Sequence, residues 1–369
     1  MYIVTGANLF GQWFSWSEDV SVFEKFEPIS LDRDNNFDLK RAKFITSCWA
    51  YNIFEIDDTF FIVGAWNGKD NQLIRAPKLD EQKYNSKHSN LLIAGNDYIL
   101  VFVEKITRSV WFYDLESADY KKVNFIEEPI EENAVKKLRA TDDIIKVAVT
   151  NNTFIYLSSE GNVYTGQLPS YLDTTHCVGK VCDVECGYEH YMLITDEGRV
   201  YTWGNGRRLQ LGHGDLTNMD EPTEVEALSG IRIVKIKAGG WHSLALSEHG
   251  DLYAWGWNDT GQLGMNVNKN NEEDIAQKNY TIPTLVDIYD ENGVEVELNI
   301  KDIAGGSRHS ALLLEDNTVW TTGCNKYGQL GFSPQEFEKL DYFKKSFYNP
   351  NINCLFAGPW NTIVEVKHI

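Results

Sequence analysis

Basic residues are scarce in this sequence: 34 lysines and arginines stand against 54 acidic residues, a formal charge of −20. Such a chain repels the phosphate backbone unless its few cations gather on one face, so direct DNA binding is not expected. There is no uninterrupted apolar run of about 18 residues, the length a membrane span needs, and no charged opening followed by an apolar stretch. A soluble intracellular protein is the expectation. Six cysteines in 369 residues, without paired spacings, fit reduced thiols in cytosol or nucleus better than a disulfide framework. Also missing are a glycine loop with a phosphate-binding lysine, a Gly-x-Ser-x-Gly elbow and a paired metal motif, so no catalysis, cofactor or metal is expected. What the chain does have is apolar material, with 43% hydrophobic and 13% aromatic residues, enough for a large core. The acidic groups Glu127, Glu128, Glu131 and Glu132, and Glu272, Glu273 and Asp274, read as solvated loops.

Within that core material lies a repeat. Cys186-Gly187-Tyr188-Glu189-His190, Ala238-Gly239-Gly240-Trp241-His242 and Gly305-Gly306-Ser307-Arg308-His309 share one outline, and each is followed by an apolar run and a tight turn. Gly187, Gly239 and Gly306 are each followed 17 positions later by a second glycine, at Gly204, Gly256 and Gly323. Six positions further stand Gln210, Gln262 and Gln329, in Leu209-Gln210-Leu211-Gly212, Gly261-Gln262-Leu263-Gly264 and Gly328-Gln329-Leu330-Gly331. Tyr191 to Ile194 and Val200 to Trp203 are short β-type runs joined at Asp196-Glu197-Gly198, a hairpin signal, with His249-Gly250 and Asp316-Asn317 at the matching turns.

Weaker copies lie upstream: Trp49 to Asn52 with the turn Asp57-Asp58 and Phe60 to Gly64, three strands from Leu91 to Tyr113, and Val149 to Tyr164. A seventh unit is divided between the ends. Ala357-Gly358-Pro359-Trp360-Asn361 opens it, and its second glycine is due six positions beyond Ile369. Gly6 is the sixth residue of the chain, and Gln12 lies six beyond it. The spacing therefore predicts an all-β, seven-bladed β-propeller over residues 1–369 as a single domain. Residues 1–14 complete the blade begun by 352–369, and the ring closure removes free sheet edges.

These residues resemble the regulator of chromosome condensation repeat family, whose blades carry a glycine-histidine start, a Tyr-x-Trp-Gly strand and a Gly-Gln-Leu-Gly end. Tyr253 to Asn258 through Gly264 matches closely, and the strong part covers about residues 181 to 369. The family resemblance implies a propeller that binds other proteins. It also offers an alternative, guanine-nucleotide exchange on a small GTPase, although no exchange wedge and no basic N-terminal tail can be matched. More narrowly, Gly239 to Ser243, Trp255 to Asn258 and Gly358 to Thr362 look like a small animal member of the family that is essentially one such domain. That resemblance implies a jumonji-C oxygenase as partner, an iron and 2-oxoglutarate enzyme of chromatin, with this chain holding no iron. It further implies nuclear and cytoplasmic residence, a chromatin and spindle role, and a monomer in isolation. A substrate arginine for such an enzyme would need a polar, flexible setting, and Arg139 in Leu138-Arg139-Ala140 suits it.

Four residues are candidates for the partner surface: Trp241, Arg308 and Trp360 in the segments that start blades, and Trp257 beyond the strand repeat. Trp203 and Trp255 recur in register and read as packing between blades. His190, His242 and His309 occupy one place in successive blades, so they read as satisfying buried backbone groups rather than converging on a metal. His176, Cys177, Cys182, Cys186 and His190 depart from zinc spacing, and alternation places Cys182, Val184 and Cys186 on one inward strand face. The charged stretches Glu116 to Thr141 and Asn266 to Tyr280 read as long loops between blades.

Overall fold

The computed structural model describes residues 1–15, 20–30, 37–77, 91–106, 108–126, 142–265 and 279–367. Among these residues, 28 strands form seven four-stranded antiparallel sheets. The terminal blade holds β1 (Tyr2–Ala7) and β2 (Val22–Pro28) beside β28 (Asn361–Val366) and β27 (Ile352–Gly358). Blade 1 is β3 (Lys43–Ser47), β4 (Tyr51–Ile56), β5 (Thr59–Trp66) and β6 (Lys69–Arg75), and blade 2 is β7 (Leu91–Gly95), β8 (Ile99–Glu104), β9 (Ser109–Asp114) and β10 (Tyr120–Asn124). Blade 3 is β11 (Ile144–Thr150), β12 (Thr153–Ser158), β13 (Val163–Thr165) and β14 (Ser170–Leu172), and blade 4 is β15 (Val181–Cys186), β16 (His190–Thr195), β17 (Val200–Gly204) and β18 (Met219–Glu224). Blade 5 is β19 (Ile233–Ala238), β20 (His242–Ser247), β21 (Leu252–Trp257) and β22 (Asn279–Leu285), and blade 6 is β23 (Ile300–Gly305), β24 (His309–Leu314), β25 (Thr318–Cys324) and β26 (Lys339–Tyr348).

The first strand of every blade touches the first strand of the next, and β27 touches β3, so these strands form a closed inner ring. Closure is made by the ends of the chain: β1 pairs antiparallel with β28 from Tyr2 opposite Glu365 to Gly6 opposite Asn361. The N-terminal contribution is larger than residues 1–14, because Val22–Pro28 adds the outer strand of the same sheet. Likewise β10 falls inside one stretch that read as a loop from its charge and β22 begins at the end of the other, while residues 127–141, with Arg139, and 266–278 lie outside the described residues.

Apolar clusters sit between neighbouring blades rather than at one centre. Between blades 5 and 6, for instance, Leu244, Leu252, Leu312, Trp320 and Phe343 are buried together. The inner strands of blades 3 to 6 are joined instead by charge. Lys146 on β11 pairs with Asp183 (2.6 Å) and Glu185 (3.0 Å) on β15, Lys237 on β19 also reaches Glu185, and Lys235 reaches Asp302 on β23. Burial works to raise the Glu185 carboxyl, but Lys146 and Lys237 outweigh it and hold it at about 2.

Cys182 departs from the expected inward face. A bulge between Val181 and Asp183 inserts one residue, so Val181 and Val184 point into the core while Cys182 is exposed, its Sγ against the Ile194 carbonyl. His176 bonds the Pro222 carbonyl and lies 3.9 Å from Cys177 Sγ, and among the described residues no three such groups come together as a metal site would need.

Candidate protein-docking face

Each repeat position has a physical task, and together they build one face of the disc. His190, His242 and His309 are fully buried and bridge blades, by two different routes. His190 Nε2 meets the Ser243 hydroxyl at 3.1 Å and His242 Nε2 meets the Ser310 hydroxyl at 3.0 Å, whereas His309 Nε2 meets the Asn361 carbonyl at 3.2 Å. Only the last binds a backbone group, as all three were expected to. Burial pushes the imidazoles down, to about 3 for His190 and His242 and about 4 for His309, so all three are neutral at pH 7.

The hydroxyls that receive His190 and His242 belong to a second relay, which recurs in the terminal blade and blade 1. Ser243 donates to the Gln210 carbonyl (2.9 Å), Ser310 to that of Gln262 (2.6 Å), and Thr362 to that of Gln329 (2.7 Å), while Asn52 Nδ2 donates to that of Gln12 (2.7 Å). Each glutamine loop thus plugs the wedge between its own blade and the next. Blades 1 to 3 have short third turns without this loop, and there Leu100, Phe154 and Tyr191 occupy the place of Ser243. A small polar donor accompanies a plug, and a large apolar side chain takes its place where the plug is missing.

The plug glutamine also displays a neighbour. Its Oε1 accepts the backbone N–H two residues earlier: Phe10 from Gln12 (3.0 Å), Arg208 from Gln210 (2.8 Å), Thr260 from Gln262 (3.0 Å) and Tyr327 from Gln329 (2.9 Å). The residue before each histidine, Glu189, Trp241 or Arg308, and Trp360 before Asn361, emerges at the same end of the sheet. Its carbonyl presses against the second glycine. At Gly256, with φ +104°, an added Cβ would lie 2.8 Å from the Trp241 carbonyl oxygen.

Around these two variable positions gathers a patch of aromatic rings and cations. The Arg208 guanidinium lies 3.9 Å from the centre of the Trp257 ring and 5.6 Å from that of Trp241, and Arg308 lies 5.0 Å from Trp257 on the neighbouring blade. Tyr188 meets Trp241 edge-on at 5.5 Å and bonds Ser307 across blade 5. Arg308 is also 3.5 Å from the Asp259 carboxylate. A second group on the face packs Trp360 against Tyr327 (5.3 Å) and Trp49 (5.9 Å), with Lys326 over Tyr327. All of these rings are partly exposed. Hence Trp241, Trp257 and Arg308 come together, Trp360 belongs to the second group, and Trp257 is the last residue of β21 rather than outside the strand repeat.

Trp203 and Trp255 are buried as packing residues; Trp255 Nε1 donates to the Gln210 carbonyl. The opposite face carries exposed carboxylates in its turns, among them Asp57, Asp58, Asp196, Glu197, Glu315 and Asp316. Sequence reasoning missed Arg208, Tyr188, Tyr327 and Trp49. Arg208 and Tyr327 share a readable signal, since both stand two residues before a plug glutamine.

Two models of the regulator of chromosome condensation (RCC1) repeat match, one at residues 197–246 and 249–313, the other at 181–210, 233–262 and 300–329. RCC1 domain-containing protein 1 of Mus musculus is 34% identical over 218 residues, 50% of this chain and 55% of the mouse protein. Its Homo sapiens counterpart is 33% identical over 49% of this chain and 55% of its own length, so the chain matches about half the length of these relatives. Among solved structures, human WBSCR16 superposes with a TM-score of 0.70 at 15% identity, covering 100% of both chains. Prp20p of Saccharomyces cerevisiae, described with its binding properties to Gsp1p and histones, gives 0.70 at 16% identity over 98% of this chain and 90% of its own.

Proposed function

This chain is a propeller of regulator of chromosome condensation (RCC1) repeats, and we propose that it acts as a non-enzymatic scaffold whose aromatic and arginine face docks another protein. The observation that carries the reading is the ladder Tyr188, Trp241, Arg208, Trp257, Arg308. It spans three consecutive blades and leaves its rings partly exposed, and Trp241, Arg308 and Arg208 in it stand at the two positions the repeat leaves variable. Tryptophan, tyrosine and arginine are the residues that dominate binding energy at interfaces, the aromatics because they bury large area at small entropic cost and arginine because its planar fork carries several donors. A rigid ring of sheets holds them in place before any partner arrives.

The partner proposed on the sequence resemblance is a jumonji-C oxygenase, with this chain residing in nucleus and cytoplasm, Arg139 as the hydroxylated residue and a link to chromatin and spindle. The test is co-expression and pull-down with wild type and with Trp257→Ala, followed by mass spectrometry of Arg139. Capture of the oxygenase by wild type and its loss with Trp257→Ala supports both face and partner. No capture by wild type removes the partner, and an unhydroxylated Arg139 in a confirmed complex removes only the substrate role. Accelerated nucleotide release from a small GTPase would replace the scaffold with an exchange factor.

A further inference from the structure

From the setting of Arg208 we propose that the docking face recognises an acidic segment of its protein partner, with a partner carboxylate received on the open edge of the Arg208 guanidinium. This rests on the docking-face reading and adds the partner's chemistry to it. In a chain with 54 acidic residues, arginines readily find carboxylates. Arg41 pairs with Asp57, Arg108 with Asp142, Arg199 with Glu224, Arg232 with Glu248 and Arg308 with Asp259. Arg208 is exposed, and among the described residues its side chain is paired with no carboxylate.

It is nevertheless ordered. Its backbone N–H is pinned by Gln210, and its guanidinium carbon lies over the Trp257 ring, 3.9 Å from the ring centre. Stacking uses the face of the guanidinium and leaves its N–H edge, whose donors match the two oxygens of a carboxylate. The rotamer entropy that a free surface arginine would lose on binding has already been spent in the stack, so the pair forms at smaller cost. Exposed Arg207 and Lys326 add positive charge on the same face.

The surroundings favour a carboxylate over a polyphosphate. Glu189, held by Asn205, and Asp259, held by Arg308, lie beside the ladder, and Asp97 accepts the Trp49 N–H on the same face. A nucleic acid strand, with a charge at every step, would be driven off by these groups and by the chain's net −20. One or two carboxylates among apolar side chains fit the ring-bound Arg208 and the rings around it.

The intact protein is titrated with a fluorescent peptide alternating glutamate and leucine, and in parallel with its glutamine-leucine and phosphoserine-leucine counterparts. The glutamate peptide is expected to bind best. Arg208→Gln should weaken it by about tenfold or more. Arg208→Lys, which keeps the charge but loses the fork, should fall in between, all at unchanged melting temperature. Equal affinity for wild type and Arg208→Gln, no binding of the glutamate peptide to wild type, or tighter binding of the phosphoserine peptide overturns the proposal. So does a concentration-dependent dimer of wild type that Arg208→Gln abolishes, since the occupant is then a second copy. A partner lost with Trp257→Ala but retained by Arg208→Gln leaves the docking face standing and removes the carboxylate inference alone.

Discussion

His242 of blade 5 and Ser310 of blade 6 meet at 3.0 Å through Nε2 and Oγ, and Ser310 passes the link on to the Gln262 carbonyl at 2.6 Å. Two blades and the plug that seals their wedge are thus joined by three neutral groups with no charge among them. Since Ser310 gives its proton to Gln262, His242 Nε2 is the donor in the bridge, and the burial that holds the imidazole neutral makes stability depend on pH.

The three blade-bridging histidines have folded pKa values of about 3, 3 and 4, against an ordinary value of 6.5, with burial as the leading cause. The unfolded chain therefore binds more protons below pH 6.5, and the native state loses stability as pH falls from 6.5 toward 4. Each histidine contributes roughly 1.4 kcal/mol per pH unit in that window. Glu185, held at about 2 against 4.5, adds its own loss only below pH 4.5. Urea unfolding at pH 7.5, 6 and 5 should show the first window, and His242→Gln should flatten its slope by about one proton.

Ser310→Ala removes the middle of the relay and leaves His242 Nε2 and the Gln262 carbonyl without that partner in a buried site. The expected cost is about 1–3 kcal/mol in chemical denaturation. Peptide binding at the docking face should change little, because no ladder residue touches Ser310 directly in this relay.

Gly256 holds φ +104° while the Trp241 carbonyl and the Gln210 backbone crowd the space a Cβ would fill. Gly256→Ala should destabilise by about 1–3 kcal/mol. Gly293, at φ +75° with nothing within 4 Å, is the control for conformation alone, and its alanine variant should cost about 1 kcal/mol. Equal losses at the two sites would show that crowding under Trp241 is unimportant.

The repeat spacing was enough to read the ring, the closure of β1 on β28 and the three histidine positions, because the glycines and glutamines that carry it answer fixed geometric needs. The outer strands were harder. Tyr120–Asn124 and Asn279–Leu285 are edge strands with polar or mixed sequences, so alternation gives little sign of them. Cys182 defeated the period-two reading because a bulge shifts the face at that point. The docking face was only half legible: Trp241, Arg308 and Trp360 follow from the place before each histidine or its equivalent. Arg208 required knowing that a plug glutamine bonds back to the residue two positions earlier.

Removing residues 1–14 deletes β1, which lies between β28 and β2, together with the plug residues Gln12, Trp13 and Phe14, all buried. The whole propeller should lose its cooperative melting rather than a tail. A truncated protein melting as wild type would mean that the terminal blade is not needed for closure.

The scaffold reading stands or falls on where a recovered partner binds. Protein captured by wild type is compared with that captured by Trp241→Ala, Trp257→Ala and Trp360→Ala, and by Glu197→Ala on the opposite face, each checked for unchanged melting. A direct partner lost with the tryptophan variants and kept by Glu197→Ala is the expected result. A partner kept by all three tryptophan variants and lost with Glu197→Ala would place docking on the acidic face and contradict the assignment.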